Sequence, residues 1–269
     1  MTDGPGPCGA ALRRMVAESI AREAGLLALR LQRDPDLVVE LKGIQDFVSA
    51  ADRALEDLIK ARIAAAFPED AVLGEESGAS AGIDEATAVW VIDPIDGTAN
   101  FVRGRAGWCV SIALVRDGRA EIGVIYDPVQ DELFSARHGH GATRNGEPIR
   151  VSRRTSLEGA MIGNGFSYRR PVADHVRISH LLLEAGCEYR RSGTGALDMA
   201  HVADGRLDGY VEMHINAWDV LAGLVLVREA GGWTNDFLRD GGLSRGNPIL
   251  AAPAGLAEAV CGLLGLDLS

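Results

Sequence analysis

Apolar residues recur at helical spacing over residues 10–32, where Leu12, Val16, Ile20, Leu27 and Leu31 mark the stripe of an amphipathic helix. LVVEL at 37–41 predicts a short strand. A second helix runs from about Ser49 until Pro68 stops it, with Leu55, Leu58, Ile59 and Ile63 as its buried face. The pattern then shortens to strand-like runs: AVWVI (88–92), WCVSIALV (108–115), EIGVIYD (121–127) and ELFSA (132–136). RDG at 116–118 is a turn, and Asn145-Gly146 is a strong hairpin signal because both types tolerate left-handed backbone. AMIGN (160–164) and LDGYVEM (207–213) predict strands; 172–185 and 194–203 predict helices. Residues 217–230 read as a mostly buried helix ended by Gly231-Gly232. NPILAAP and GLAEAVCGLLG supply a last strand and helix. Two helices, a strand-rich block and then mixed elements imply layers of helix and sheet, not a bundle or a sandwich. No repeat or low-complexity linker divides the chain, so 1–269 is expected to form one unit, with lobes of roughly 1–150 and 151–269.

A chain of 269 residues that is 47% hydrophobic can bury a sizeable core. The formal net charge of −11 repels nucleic-acid backbones and anionic membranes. The arginine pairs (Arg13/Arg14, Arg153/Arg154, Arg169/Arg170, Arg190/Arg191) are short and scattered, and read as solvated or locally paired. No aromatic-basic surface pattern points to RNA. Cys8, Cys109, Cys187 and Cys261 lie far apart without a CxxC, as expected of buried free thiols in a reducing compartment. The start, MTDGPGPCGA, does not read as a signal peptide, and no run of about 18 apolar residues occurs. A cytoplasmic protein is expected.

The acidic residues change this picture. In VIDPIDGTAN (91–100), Pro94 biases Asp93 toward extended backbone, so the apolar strand should run into Asp93 and end there. Gly97 permits a sharp turn, and Thr98 can face back into it. Asp93 and Asp96 then converge at a core edge, where two carboxylates repel unless a proton or a cation lies between them. The alternative is a solvated surface turn. Glu75 and Glu76 follow the apolar VLG, and otherwise read as an exposed acidic loop. Asp219 in AWDV can cap the helix that follows, and Ser49 with Asp52 resembles a capping box. Together these acids sit at element ends beside apolar segments, an all-oxygen set that suits a hard cation such as Mg²⁺. Zinc is disfavoured: no HxxxH occurs, and His138-x-His140 falls in an exposed Gly-rich hairpin. No GxSxG or GxxxxGK[ST] is present.

The motifs DFVSAAD (46–52), GEES (74–77), WVIDPIDGTANF (90–101), SGTGALDMA (192–200) and YVEMHINAWDVLAGLVLVREAGG (210–232) resemble, in order, those of the inositol monophosphatase family of Mg²⁺-dependent, lithium-sensitive phosphatases. The resemblance implies an α/β fold, an alternating αβαβα sandwich of the inositol monophosphatase and fructose-bisphosphatase type, and a homodimer. It implies two or three Mg²⁺ ions. Glu75, Asp93 and the carbonyl of Ile95 would hold the first; Asp93, Asp96 and Asp219 the second. Thr98 and Asp52, with Glu75, would orient and deprotonate the attacking water. The N–H groups of Gly97 and Thr98 would cradle the phosphate, and Gly193, Thr194, Ala196 and Glu212 would line a polyol site. The reaction implied is in-line attack of a metal-activated water on inositol 1-phosphate or a similar small polyol phosphate, with no phosphoenzyme. Relatives also suggest histidinol phosphate, fructose 1,6-bisphosphate or 3′-phosphoadenosine 5′-phosphate as substrates. Some bacterial members suggest a regulatory protein partner linked to transcription instead. Ser49 and Ala99 stand where the family commonly has threonine, and neither change removes a ligand.

Overall fold

The computed structural model describes residues 7–43, 46–81, 83 and 86–266; the side chains of residues 7, 8, 41–43 and 46–48, and with them the Cys8 thiol, lie outside what is described. In chain order the elements are α1 (Pro7–Leu31), β1 (Val39–Gly43), β2 (Asp46–Ser49), α2 (Ala50–Ala66), β3 (Ala71–Gly74), β4 (Gly78–Ala79), β5 (Ala88–Asp96), α3 (Thr98–Phe101), β6 (Cys109–Arg116), β7 (Arg119–Asp127), β8 (Glu132–Arg137), β9 (Ala142–Arg144), β10 (Glu147–Pro148), β11 (Met161–Asn164), α4 (Val172–Glu184), β12 (Glu188–Arg190), α5 (Gly195–Ala203), β13 (Gly209–Ile215), α6 (Ala217–Glu229), β14 (Trp233–Thr234), α7 (Gly242–Arg245), β15 (Asn247–Ala252) and α8 (Ala254–Leu264).

β1 and β2 pair with each other, and two larger sheets organise the rest. The first runs β10-β9-β8-β7-β6-β5-β3-β4, and the second runs β12-β11-β13-β15-β14. Strand periodicity separates the layers. Trp90 and Ile92 of β5, with Ile112, Leu114 and Val124, pack on α1 and α2. Val89 and Val91, with Ala113 and Ile125, pack on α5 and α6. Both faces of β5 are therefore covered, which is why its first five residues, AVWVI, form an unbroken apolar run. Helix α6 is apolar all round because it is filled against from two sides: its cluster includes Tyr210, Ile249 and Ala251 of the second sheet. The outer face of that sheet, with Ile162, Val211 and Leu250, is closed by α4 and α8. The layer order is helix, sheet, helix, sheet, helix, as the resemblance implies.

Local chemistry accounts for most boundaries. Asp117-Gly118 and Asn145-Gly146 both adopt left-handed backbone at their hairpin turns (φ 51° and 73°; 50° and 84°). Ser49 begins α2 in a capping box with Asp52. Two expectations need correction. Helix α1 does not bury Leu12, which is 48% exposed; Ala17, Ala21, Ala24 and Ala28 with Ile20 form its inner face, because only small side chains fit where it crosses the sheet closely. Strand β5 also does not end at Asp93. Asp93 pairs with Ser111 and Asp96 with Cys109, so three residues of β5 span two of β6. In a regular strand, residues three apart face opposite ways. The extra residue of this bulge resets the phase and turns both carboxylates to one side.

Candidate active site

The bulge aims Asp93 and Asp96 at the N-terminus of α6, where Asp219 stands. Carboxylate oxygens of the three lie within 4.8 Å of one another. Asp93 is 1% exposed and Asp96 7%. Oδ1 of Asp93 accepts from the Ile95 N–H at 2.9 Å. Oδ2 of Asp96 accepts from Thr194 Oγ1 at 2.5 Å and from the Ala196 N–H at 2.7 Å. Oδ2 of Asp219 accepts from the Asn216 N–H at 3.1 Å, completing a capping box as the sequence allows. Burial, then the charges of Glu75, Asp96 and Asp219, push the Asp93 carboxyl far above its usual range. Burial raises Asp96 to about 6, against the pull of Thr194 and Ala196. Burial and the charges of Asp96 and Glu212 raise Asp219 strongly. Among the described residues no Lys or Arg forms an ion pair with these three acids. Burying them as anions is costly without a cation.

Beside this cluster, Gly97 takes φ 95° and starts α3. A Cβ there would meet the Gly107 carbonyl oxygen at 2.9 Å, so glycine is required twice over. Thr98 Oγ1 lies 3.2 Å from Asp52 Oδ1 and 3.0 Å from the Ile95 carbonyl oxygen. Asp52 is 1% exposed, and burial raises its pKa despite bonds from the Ser49 N–H (2.7 Å) and hydroxyl (2.6 Å). An open cleft of about 1120 Å³ passes over the site, with Glu75, Asp96, Gly193, Thr194, Glu212 and Asp219 in its lining.

The sequence model described as the inositol monophosphatase family matches residues 12–264. The chain belongs to the inositol monophosphatase family. It is 41% identical over 244 residues to Nus factor SuhB of Pasteurella multocida, covering 88% of this chain and 90% of that protein. The extragenic suppressor protein suhB of Bartonella henselae superposes with a TM-score of 0.86 at 36% identity, over 93% of this chain and 96% of that one. A structure described as inositol monophosphate bound SaIMPase-II, from Staphylococcus aureus, superposes with a TM-score of 0.77 at 29% identity, over 94% and 92%.

Most residues that family motifs single out come together here, with one difference. Ala196 does not line the cleft: it is buried, and its N–H is committed to Asp96. Thr194 lines the cleft, but its hydroxyl is likewise bound to Asp96 while it caps α5 through the Leu197 N–H. Four features escaped the motif reading. Asp198, buried on α5, is raised to about 7, chiefly by burial, while the Ser192 hydroxyl bonds it at 2.6 Å. Tyr210 donates to Glu212 at 2.6 Å, and burial lifts Glu212 to about 7. Asn100 donates to the Gly107 carbonyl (2.7 Å) and the Ser192 carbonyl (3.0 Å), tying the two halves together.

The fourth is Glu56, one helical turn after Asp52 and 2% exposed. Its carboxylate accepts from the N–H groups of Glu76 (2.8 Å) and Ser77 (3.0 Å), holding the loop that carries Glu75. Lys60, one turn further, donates to the Ser77 hydroxyl at 2.9 Å. Gly74 admits Glu56, because a Cβ there would lie 2.5 Å from its oxygen. The 52/56/60 stripe of α2 thus braces the site from behind. One surface expectation also changes. Phe166, Tyr168 and Arg169 of one segment line the cleft with Arg191, whose guanidinium lies 5.9 Å from the Phe166 ring centroid, which makes an aromatic-basic grouping.

Proposed function

We propose that the protein is a Mg²⁺-dependent phosphate monoester hydrolase acting on inositol 1-phosphate or a similar small polyol phosphate. The observation that carries this reading is the convergence of Asp93, Asp96 and Asp219 on one volume without a basic partner among the described residues. The donor set fits a hard cation: Glu75, Asp93 and the Ile95 carbonyl for one ion, and Asp93, Asp96 and Asp219 for another, all oxygen. Magnesium, when bound, supplies positive charge that neutralises phosphoryl oxygens and lowers the pKa of water.

The chain's own residues do the rest. Thr98 has one proton and two acceptors. Donation to Asp52 leaves a lone pair on Thr98 Oγ1 to receive a proton from the attacking water. The raised pKa of Asp52 suits it to take that proton up. The N–H groups of Gly97 and Thr98 begin a helix and have no intrahelical acceptor, so they face the phosphate. Glu212 and Gly193 line the same cleft and meet the polyol hydroxyls. Attack is direct and in-line, so positioning and charge carry the rate. Residues 1–269 act as one catalytic unit in which the later part supplies Asp219 and the polyol wall. We extend the reading to a homodimer, lithium sensitivity and a cytoplasmic setting; no helix among the described residues is long and apolar enough to cross a membrane, and Cys109 and Cys187 are buried free thiols.

Phosphate release from inositol 1-phosphate, histidinol phosphate, fructose 1,6-bisphosphate and 3′-phosphoadenosine 5′-phosphate, with and without Mg²⁺, tests this. Activity only with Mg²⁺ and highest kcat/KM on a polyol phosphate is expected. No release from any of them at saturating Mg²⁺ would overturn it. A second reading is favoured by the Nus factor name of the relative at 41% identity: a regulatory role through a protein partner. If an Asp93→Asn protein without phosphatase activity still restores a deletion phenotype, that role is the physiological one.

A further inference from the structure

The cleft takes its two sides from distant parts of the chain. On the proposed function, Gly97 and Thr98 meet the phosphate, and Gly193 with Glu212 meets the polyol. The loop that carries Gly193 is pinned on both flanks of that glycine, which takes φ 83°. On one flank the Thr194 hydroxyl donates to Asp96 at 2.5 Å. On the other, the Ser192 hydroxyl donates to Asp198 at 2.6 Å, and the Ser192 carbonyl accepts from Asn100 Nδ2 at 3.0 Å. Asn100 follows Gly97 by one turn, and its backbone N–H donates to the Gly97 carbonyl at 2.8 Å. Its side-chain amide also donates to the Gly107 carbonyl at 2.7 Å. That carbonyl packs on Gly97, where a Cβ would lie 2.9 Å from it. A carboxamide NH₂ has two donors, and Asn100 spends both on backbone carbonyls. One side chain therefore joins the turn at Gly97, the loop at Gly107 and the loop at Ser192.

We propose that Asn100 is a positioning residue that sets the spacing between the phosphate side and the polyol side of the cleft, and so determines how far the site prefers polyol phosphates to other phosphate esters. The inference rests on the phosphatase reading and deepens it. Because the amide holds backbone, its loss leaves every proposed ligand and polyol contact in the chain but frees the segment 191–195 to shift. A displaced wall costs a polyol both binding and orientation, while an ester without hydroxyls has nothing to lose on that side. Each of the two hydrogen bonds is worth roughly two- to tenfold in an equilibrium.

The test is the ratio of kcat/KM for inositol 1-phosphate to that for phenyl phosphate at saturating Mg²⁺. Both esters carry the same phosphate, so damage to the fold, to metal loading or to phosphate handling divides out of the ratio. Asn100→Ala is expected to lower it at least about tenfold. Asn100→Leu keeps the bulk and loses the donors; it should lower the ratio as far, and it decides the question if the alanine protein does not fold. Hydrogen exchange in the segment 191–195 should quicken in both variants. A ratio that stays at the wild-type value, whether the two rates fall together or not at all, overturns the proposal. So does unchanged exchange in 191–195. If wild type hydrolyses neither ester, the proposed function fails. The Kd ratio of the two esters, read by calorimetry on the Mg²⁺-loaded proteins, then decides the role of Asn100 by the same tenfold criterion.

Discussion

Two groups of buried acids meet in this cleft, and they are satisfied differently. Asp198 and Glu212 each receive a matched hydroxyl, from Ser192 and Tyr210, and both are raised to about 7. They can carry their own proton at neutral pH. Asp93, Asp96 and Asp219 converge oxygen to oxygen, and their mutual charge adds to burial in raising them. A proton on one relieves only part of that repulsion; a divalent ion relieves it for all. On the proposed function, the first group faces a neutral polyol and the second holds cations.

That contrast is sharpened first by neutralising the cation wall. Asp96→Asn or Asp219→Asn should lower kcat at saturating Mg²⁺ by at least about a thousandfold, the loss of several kcal/mol of charge stabilisation. Steady-state phosphate release measures it, and near-normal turnover would remove the distinction between the walls. On the polyol wall the expected signal is in stability. The folded pKa of Asp198 lies above its unfolded value, so its contribution to stability is full below about pH 4 and is lost as pH rises through about 7. For metal-free protein this single group accounts for up to about 4 kcal/mol between those limits. Asp198→Asn should flatten that dependence in urea titrations across the range.

Adding Mg²⁺ at about 100 times its Kd should stabilise the wild type by about 2.7 kcal/mol, a Tm rise of roughly 5–10 °C. Asp219→Asn should lose most of that rise, and Asp198→Asn should keep it. The smallest effect concerns the brace. Glu56→Gln keeps one acceptor of two, so the Mg²⁺ concentration for half-maximal activity should rise about tenfold while kcat stays within about threefold. A fall in kcat with unchanged Mg²⁺ dependence would detach Glu56 from the Glu75 loop.

Much of this was readable before folding because local rules and global layout agree. The turns at Asp117-Gly118 and Asn145-Gly146, the buried α6 and the five-layer order all followed from periodicity, turn chemistry and motif resemblance. What was not readable depends on contacts distant in sequence. Leu12 reads as core by spacing, yet alanines line α1 because the sheet approaches too closely for larger side chains. The facing of Asp93 and Asp96 depends on one extra residue in β5, which pairing with β6 alone reveals. Ala196 is claimed by Asp96, a residue 100 positions away. Asp198 had a signal, a lone acid amid Leu197, Met199 and Ala200, but its hydroxyl partner lies outside the helix. Arg170 and Arg190 take local partners while Arg169 and Arg191 line the cleft, a division that emerges only once the loops are in place.

The central claim is that cations occupy the volume enclosed by three aspartates. Anomalous diffraction from crystals soaked in Mn²⁺, which takes the same oxygen ligands as Mg²⁺, addresses it directly. The account predicts a peak in contact with Asp93, Asp96 and Asp219 together. Three carboxylates standing apart with no peak between them, while manganese binds elsewhere on the chain, would contradict it.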